Sequence, residues 1–220
     1  NALSSDAGGN LFFGGWSTNT VGIATPGSFQ PNHAPLSQTG EDGFFGKMNL
    51  NGQLQWASYL GSTGTEFINE ITCDNSGGVY LCGQTTSGTS TVLASTGAFQ
   101  TSFGGYKDGF IARFDGAGNR LWGSYFGAGG DDYLVSIIRE PNGNILLSGT
   151  TGSIVGNYLA TNCTYQQNLG GGMEDAVIAK FDQNGQRLWC TFYGGNQNDE
   201  GGYIALDNND LFSVETAGNT

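Results

Sequence analysis

One strand-turn-strand phrase occurs three times in this chain: "EDGFFGKMNLNGQLQWASYLGSTGTE" from Glu41, "KDGFIARFDGAGNRLWGSYFGAGGDD" from Lys107 and "EDAVIAKFDQNGQRLWCTFYGGNQNDE" from Glu174. The copies keep step. Asp42 to Asp108 is 66 residues (108 − 42), Asp108 to Asp175 is 67 (175 − 108), and Trp56, Trp122 and Trp189 repeat the same intervals. A fixed period means one structural unit copied along the chain, each copy burying its apolar surface on its neighbours.

A second phrase recurs between the first: "SSDAGGNLFFGGWST" from Ser4, "TCDNSGGVYLCGQTT" from Thr72, "IREPNGNILLSGTT" from Ile138 and "ALDNNDLFSVET" from Ala205. Each period therefore holds two hairpins, read as the strands "DGFIARFD", "RLWGSYFG", "YLVSIIRE" and "NILLSGTT". Gly, Asn and Asp between them supply the positive φ of tight turns. Alternation puts Phe110, Ala112 and Phe114 on one face and Gly109, Ile111 and Arg113 on the other, so both faces carry apolar side chains. A four-stranded sheet that is apolar on both sides must be covered twice, and radial stacking of copies does this.

The expected fold is all-β, a β-propeller of four-stranded antiparallel blades. The repeat units run roughly 1–41 (partial), 42–107, 108–174 and 175–220 (partial), in a single propeller segment. Closed propellers hold roughly four to eight blades, so about three blades imply an incomplete portion of a longer propeller, whose open edges would meet the remainder of a longer chain. The period exceeds the roughly 40 to 50 residues of familiar propeller repeats. The surplus sits in the segments 19–40, 86–107 and 152–173, where "GSFQ", "GAFQ" and "CTYQ" place Phe29, Phe99 and Tyr165 to pin each loop onto its blade. Two blade phases stay open from sequence, one with "DGFIARF" innermost and one with "YLVSIIRE" innermost and "AGGDD" at the channel mouth; the second is favoured.

Charge narrows the partners. Lys and Arg total 7 against 19 Asp and Glu, a net charge of −12, which repels nucleic acid and anionic membrane surfaces. No run approaches the roughly 18 apolar residues of a membrane-spanning segment. The opening "NALSSDAGGN" has neither Met nor a basic region and reads as a processed or truncated N-terminus. Cys73, Cys82, Cys163 and Cys190 lack CxxC spacing. A turn at 74–78 sets Cys73 against Val79 and Cys82 against Glu70, an offset that predicts free thiols for that pair and leaves Cys163 and Cys190 undecided.

Candidate site residues follow from acidity and from breaks in the repeat. Glu66, Asp131, Asp132, Asp199 and Glu200 make the most acidic loops, able to hold a hard cation such as calcium through oxygen ligands or to attract a cationic partner. Trp16, where the sister copies have Gln84 and Thr150, is the candidate for stacking on a sugar ring. Asp115, Asp182 and Asn49 open D-x-x-G-type turns and are expected to cap their own backbone. Asp42, Asp108 and Asp175 are expected to be strand-start caps or acceptors between blades, the alternative being a ring lining a channel. His33 is the sole histidine and is expected at the surface. It has no second histidine with which to bind metal, and no G-x-S-x-G accompanies it. No catalytic residue, metal centre or cofactor is assigned.

The order "DGFIARFDGAGNRLWGSYFGAGGDD…NGNILLSGTT…GAFQ…GGYKDGF" resembles the SBBP β-propeller repeat across the chain. The Gly-Asp-Asp of Gly130, Asp131 and Asp132 becomes Gly-Thr-Glu at Gly64 to Glu66, and "LDNNDLF" lacks the turn Gly. The resemblance implies a scaffold in a secreted or surface-exposed bacterial protein, in adhesion, gliding or type IX secretion, with no general enzymatic activity. The expected function is a non-enzymatic extracellular binding module that meets a protein or glycan at its long loops. The competing readings are a carbohydrate-active enzyme using acidic propeller loops and a component or cargo of an outer-membrane secretion assembly.

Overall fold

The computed structural model describes residues 2–34, 40–152 and 159–207, with the backbone alone of 212–218. Parts of two long segments, 35–39 and 153–158, and the turn expected in "LDNNDLF", 208–211, lie outside the described residues. Among the described residues there are strands and no helix, hence none long and apolar enough to cross a membrane.

Three antiparallel four-stranded sheets follow one another. The first holds β1 (Ala2–Ser5), β2 (Leu11–Ser17), β3 (Asp42–Met48) and β4 (Leu54–Leu60). The second holds β5 (Glu66–Cys73), β6 (Val79–Thr85), β7 (Asp108–Phe114) and β8 (Arg120–Phe126). The third holds β9 (Asp132–Arg139), β10 (Ile145–Thr151), β11 (Asp175–Phe181) and β12 (Arg187–Tyr193). A further hairpin pairs β13 (Asp199–Leu206) with β14 (Phe212–Gly218). Strands neighbour one another in chain order, so a period counted from Asp42 begins at the third strand of a sheet.

The two-sided alternation places side chains in two cores. Phe110, Ala112 and Phe114 of β7, with Val79 and Leu81 of β6, pack toward the first sheet around Phe12 and Phe45. Ile111 of β7, with Tyr80 and Cys82 of β6, packs toward the third sheet around Ile145, Val177 and Phe181. Each of these strand side chains is at most 1% exposed, a burial worth about 1.5–3 kcal/mol apiece for the larger ones. The middle sheet is thus covered twice, as its sequence demands.

Contacts between sheets run β1 to β5, β5 to β9 and β9 to β13, and from β2, β6 and β10 onto the next sheet's first strand. First strands converge while fourth strands diverge, the fanned arrangement of propeller blades with "YLVSIIRE" innermost. Strands β4, β8 and β12 form the outer rim, where Leu54, Leu121 and Leu188 are about half exposed.

The long segments join second to third strands and run along the outer rim. Thr25 N donates to Ala57 O and Tyr59 N to Gln30 O. The same pair of bonds recurs from Ser95 to Gly123 and from Tyr125 to Gln100, then from Thr161 to Cys190 and from Phe192 to Gln166. The aromatic residues of the first two segments reach further than their own blade, and that of the third stays on its own. Phe29 meets Phe114 at 5.4 Å and lies under Arg120, both in the following sheet. Phe99 meets Phe181 of the following sheet at 5.5 Å and Phe126 of its own at 6.3 Å. Tyr165 stacks on Tyr193 of its own sheet at 5.9 Å. Trp56 and Trp122 also tie neighbouring sheets, donating to Gly116 O at 3.1 Å and Gln183 O at 3.0 Å in the next sheet's turn.

Candidate functional site

The antiparallel order gives the molecule two unlike ends. One carries the tight turns after first and third strands; the other, called here the loop face, carries the long segments and the outer-to-inner crossings.

At the turn end a single side chain organises each turn. The Asp115 carboxylate accepts from Ala117 N and Asn119 N, both at 2.9 Å, and Asp182 accepts from Asn184 N and Gln186 N at the same distance. Asn49 Oδ1 accepts from Asn51 N and Gln53 N at 3.0 Å. These are the self-capping turns their sequence implies.

At the loop face, a carboxylate that opens a third strand meets one that opens the next first strand, around a glycine. Asp108 accepts from Gly104 N at 2.8 Å, Gly105 N at 3.2 Å and Gln100 Nε2 at 3.0 Å. Asp132 accepts from Ala128 N at 2.8 Å and from the Thr151 hydroxyl. A Cβ on Gly127 would lie 2.6 Å from Asp132 Oδ2 and 3.0 Å from Asp108 Cγ, so only glycine fits between them. The pattern repeats with Asp42, Gly61 and Glu66, and with Asp175, Gly194 and Asp199. Glu66 accepts from Ser62 N at 2.8 Å and the Thr85 hydroxyl at 2.5 Å, and Asp199 accepts from Gly195 N at 2.7 Å. Burial, aided by the charge of Asp132, pushes Asp108 up to about 6. Burial also raises Asp42, Glu66 and Asp175.

The sequence-derived candidates therefore divide. Glu66 and Asp132 are fully buried and committed to backbone amides and a threonine. Asp199 is half-buried and holds a junction amide, while Asp131 is half-exposed and Glu200 exposed. Among the described residues no group of three or more His, Cys, Asp or Glu is placed to hold a metal ion. Trp16 is 44% exposed and meets Phe67 edge-on at 5.3 Å. His33 is buried rather than superficial, its Nε2 3.3 Å from Ser17 O and its Nδ1 3.7 Å from Asp42. All four cysteines are free, and Cys73 pairs with Val79 and Cys82 with Glu70 in the ladder.

A cleft that sequence reasoning missed lies on the inner strands. Pairing of β5 with β6 skips Asn69, that of β9 with β10 skips Val135, and that of β13 with β14 shifts between Gly201 and Ile204. These are β-bulges, which push an extra residue out of the ladder and re-aim its side chain. Asn69 and Val135 are the extra residues of the first two and Gly202 and Tyr203 span the third; Asn69, Val135 and Tyr203, with Tyr133, line an open cleft of about 410 Å³. The cost shows in the second strands. A Cβ on Gly83 would sit 1.8 Å from Phe67 O, and one on Gly149 2.1 Å from Tyr133 O. Mid-strand glycine at matching places in "CGQT" and "SGTT" was the available signal. Asn69 Nδ2 donates to Leu134 O at 2.7 Å, locking the cleft floor across two blades.

Tyr133 stands where the cleft meets the loop face. Lys107 Nζ lies 5.7 Å from its ring centre and 3.8 Å from Asp131 Oδ2. Burial raises the Tyr133 hydroxyl, as do the charges of Glu174, Glu200 and Asp131, against a hydrogen bond with Thr150. Burial followed by Glu200 and Asp131 likewise raises Glu174. The charges of three carboxylates and one lysine thus act on this corner of the fold.

Two comparisons accord with this architecture. The SBBP family, described as a beta-propeller repeat, matches residues 55–88, which run from the outer strand of the first sheet through the inner hairpin of the second. An uncharacterized WD repeat-containing protein of Acanthamoeba polyphaga mimivirus is 25% identical over 174 residues, covering 74% of this chain. The chain spans 12% of that relative's length. The likeness is thus to propeller-type repeats, and the family match spans the junction of the first and second sheets.

Proposed function

We propose that this chain is a non-enzymatic interaction scaffold, a propeller segment of a secreted or surface-exposed bacterial protein that holds a partner polypeptide at its loop face in adhesion or surface assembly. One observation carries the reading. The carboxylates that recur with the repeat, Asp42, Asp108, Asp175, Glu66, Asp132 and Asp199, serve blade junctions, whereas the half-exposed Asp131 and Glu174 and the exposed Glu200, Trp16 and Tyr203 vary between copies and stand toward the loop face and its cleft. Invariant polar groups build the platform and variable ones dress it, the division expected of a scaffold. The β-propeller repeat and the WD-repeat relative support an interaction role. The low share of charged residues, 12%, supports the extracellular setting.

The test uses the chain immobilised against an extract of cell-surface proteins, with bound proteins identified by mass. The triple variant Asp131→Asn, Glu174→Gln, Glu200→Gln should lose specific partners that a turn-end variant, Asn51→Lys, retains. Turnover of a glycan or peptide panel that the triple variant abolishes would overturn the scaffold. Protease shaving of intact cells should release fragments of the parent protein; complete protection would refute the surface location.

A further inference from the structure

The inner-strand cleft has a composition that selects its occupant. Its lining comes from three successive sheets, with Asn69 and Val135 at bulges and Tyr203 within the third register shift, and it is open to solvent. Two tyrosines, Tyr133 and Tyr203, supply ring surface, and Tyr203 is 62% exposed. Beside Tyr133, Asp131 lies against Lys107, Glu200 holds on β13 the place that Tyr133 holds on β9, and Glu174 O accepts from Asp199 N at 2.8 Å, next to Glu200.

The molecule already shows how this rim receives a cation. Lys107 places its ammonium on the Tyr133 ring at 5.7 Å and against Asp131 at 3.8 Å. Ring face plus carboxylate is the pairing that holds ammonium and guanidinium groups. Lys107 is one cation beside three acidic residues, so this end of the cleft is acidic on balance. The chain as a whole, at −12, draws cations toward it. A divalent metal fits poorly, because these acids are not grouped as ligands.

We infer that the groove docks an extended, lysine- or arginine-bearing segment of a partner polypeptide, with a basic side chain lying between Tyr133 and Tyr203 and facing Glu174 and Glu200. The inference rests on the scaffold reading and names the chemistry of its partner. Bulged residues leave the ladder and present themselves to an incoming chain, and alternate side chains of an extended peptide would drop into the groove while the others point to solvent.

The experiment measures binding of fluorescein-labelled acetyl-(Gly-Lys)4-amide by anisotropy, with (Gly-Glu)4 and (Gly-Ser)4 peptides as references, at low and physiological salt. Saturable binding of the lysine peptide alone is expected, weakening as salt rises. Glu174→Gln with Glu200→Gln should lower affinity roughly tenfold, as for two partly exposed charge partners. Tyr203→Ala keeps the charge and should lower it about threefold to fivefold, the loss of one cation–ring contact. Asn51→Lys, an exposed substitution at the turn end, should leave it unchanged. Thermal melts confirm that each variant is folded. Equal weakening by Asn51→Lys would reduce the effect to bulk charge and overturn the groove. Full binding by Tyr203→Ala, or equal binding of the serine peptide, would overturn it as well. Surface partners retained without lysine-peptide binding would sink this inference and leave the scaffold standing. Peptide binding with no surface partner retained would sink the scaffold instead.

Discussion

Aspartate does opposite things at the two ends of this molecule. At the turn end, Asp6 and Asp115 are partly exposed and Asp74 is buried beside Arg113. Burial raises them, but hydrogen bonds from Asn10, from Ser76 and Gly78, and from Asn119 and Ala117 outweigh it and leave all three below the usual carboxylate range. At the loop face, Asp42, Asp108 and Asp175 also accept backbone amides, yet all three are raised, because burial dominates, joined by the charge of Asp132 at Asp108 and of Asp199 at Asp175. Asp74 accepts from Ser76 N, the Ser76 hydroxyl and Gly78 N, whereas Asp175 accepts from Gly170 N and leaves Oδ1 buried without a partner among the described residues, so the balance of donors against burial decides the sign. The turns fold the chain locally, and the junctions hold blades together at an electrostatic cost.

Glycine divides the same way, and breaking it should give the largest effect. At the turn end Gly52 has a φ of 73° and open space around its missing Cβ, so conformation alone requires it. At the loop face Gly127 is required because a Cβ would strike two buried carboxylates. Gly127→Ala should therefore cost about 3 kcal/mol through overpacking, against about 1 kcal/mol for Gly52→Ala from left-handed strain. Urea unfolding of both variants checks this. Equal losses would erase the distinction between the ends.

Acid titration should sharpen the contrast. An unfolded Asp108 releases its proton near its ordinary 3.8, whereas the folded one holds it to about 6. Between those values the native state binds more protons, so stability falls as pH rises from about 4 to about 6, by up to about 3 kcal/mol for this group, and then levels off. Asp115 is depressed, so its contribution is present above its ordinary value and is lost as pH falls below it. The melting temperature should peak near pH 4 to 5 and decline toward neutrality. Asp108→Asn should flatten that decline while leaving the acid limb in place. A melting temperature that climbs from pH 4.5 to 7 would refute the junction account.

What the sequence discloses follows from how local each cause is. The facing of Phe110 and Ile111 toward different cores is written in period-two alternation, and the offset of Cys73 from Cys82 follows from the five residues of one turn. The caps at Asp115 and Asp182 are equally local. Nothing local distinguishes Asp132, sealed at a junction, from Asp131 beside it, because the difference arises where the outer strand of one blade meets the inner strand of the next. The destination of Phe29 in the following sheet is non-local in the same sense. The bulges at Asn69 and Val135 are hidden because alternation does not register one inserted residue, although Gly83 and Gly149 opposite them carry the trace.

A smaller effect tests the turn end by itself. Asp115→Ala removes the acceptor for Ala117 N and Asn119 N in a turn that water can reach. Solvent replaces part of what is lost, so the cost should be about 1 kcal/mol, as for a cap. Its pH signature should be opposite to that of Asp108→Asn, with the variant deficient above pH 4 and equal to the parent in stronger acid. A deficit that grows on acidification would mean that the Asp115 carboxylate is not what holds the turn.

The smallest expected change separates space from conformation within the long segments. Gly27 and Gly97 stand at matching places in "PGSFQ" and "TGAFQ", with φ of 79° and nothing near their missing Cβ, and the third copy puts Cys163 there at φ 67°. By the rule drawn from the turn end, a side chain fits at such a site and the backbone alone objects. Cys163→Gly should relieve left-handed strain of about 1 kcal/mol while returning conformational freedom to the unfolded chain, a partly offsetting loss. The net should be a gain of about 0.5 kcal/mol, visible as a small rise in urea midpoint at constant slope. A fall in the midpoint would show that the exposed Cys163 side chain contributes packing or bonding that outweighs its backbone cost, and would place this turn with the junctions, where neighbours rather than φ decide which residue is tolerated.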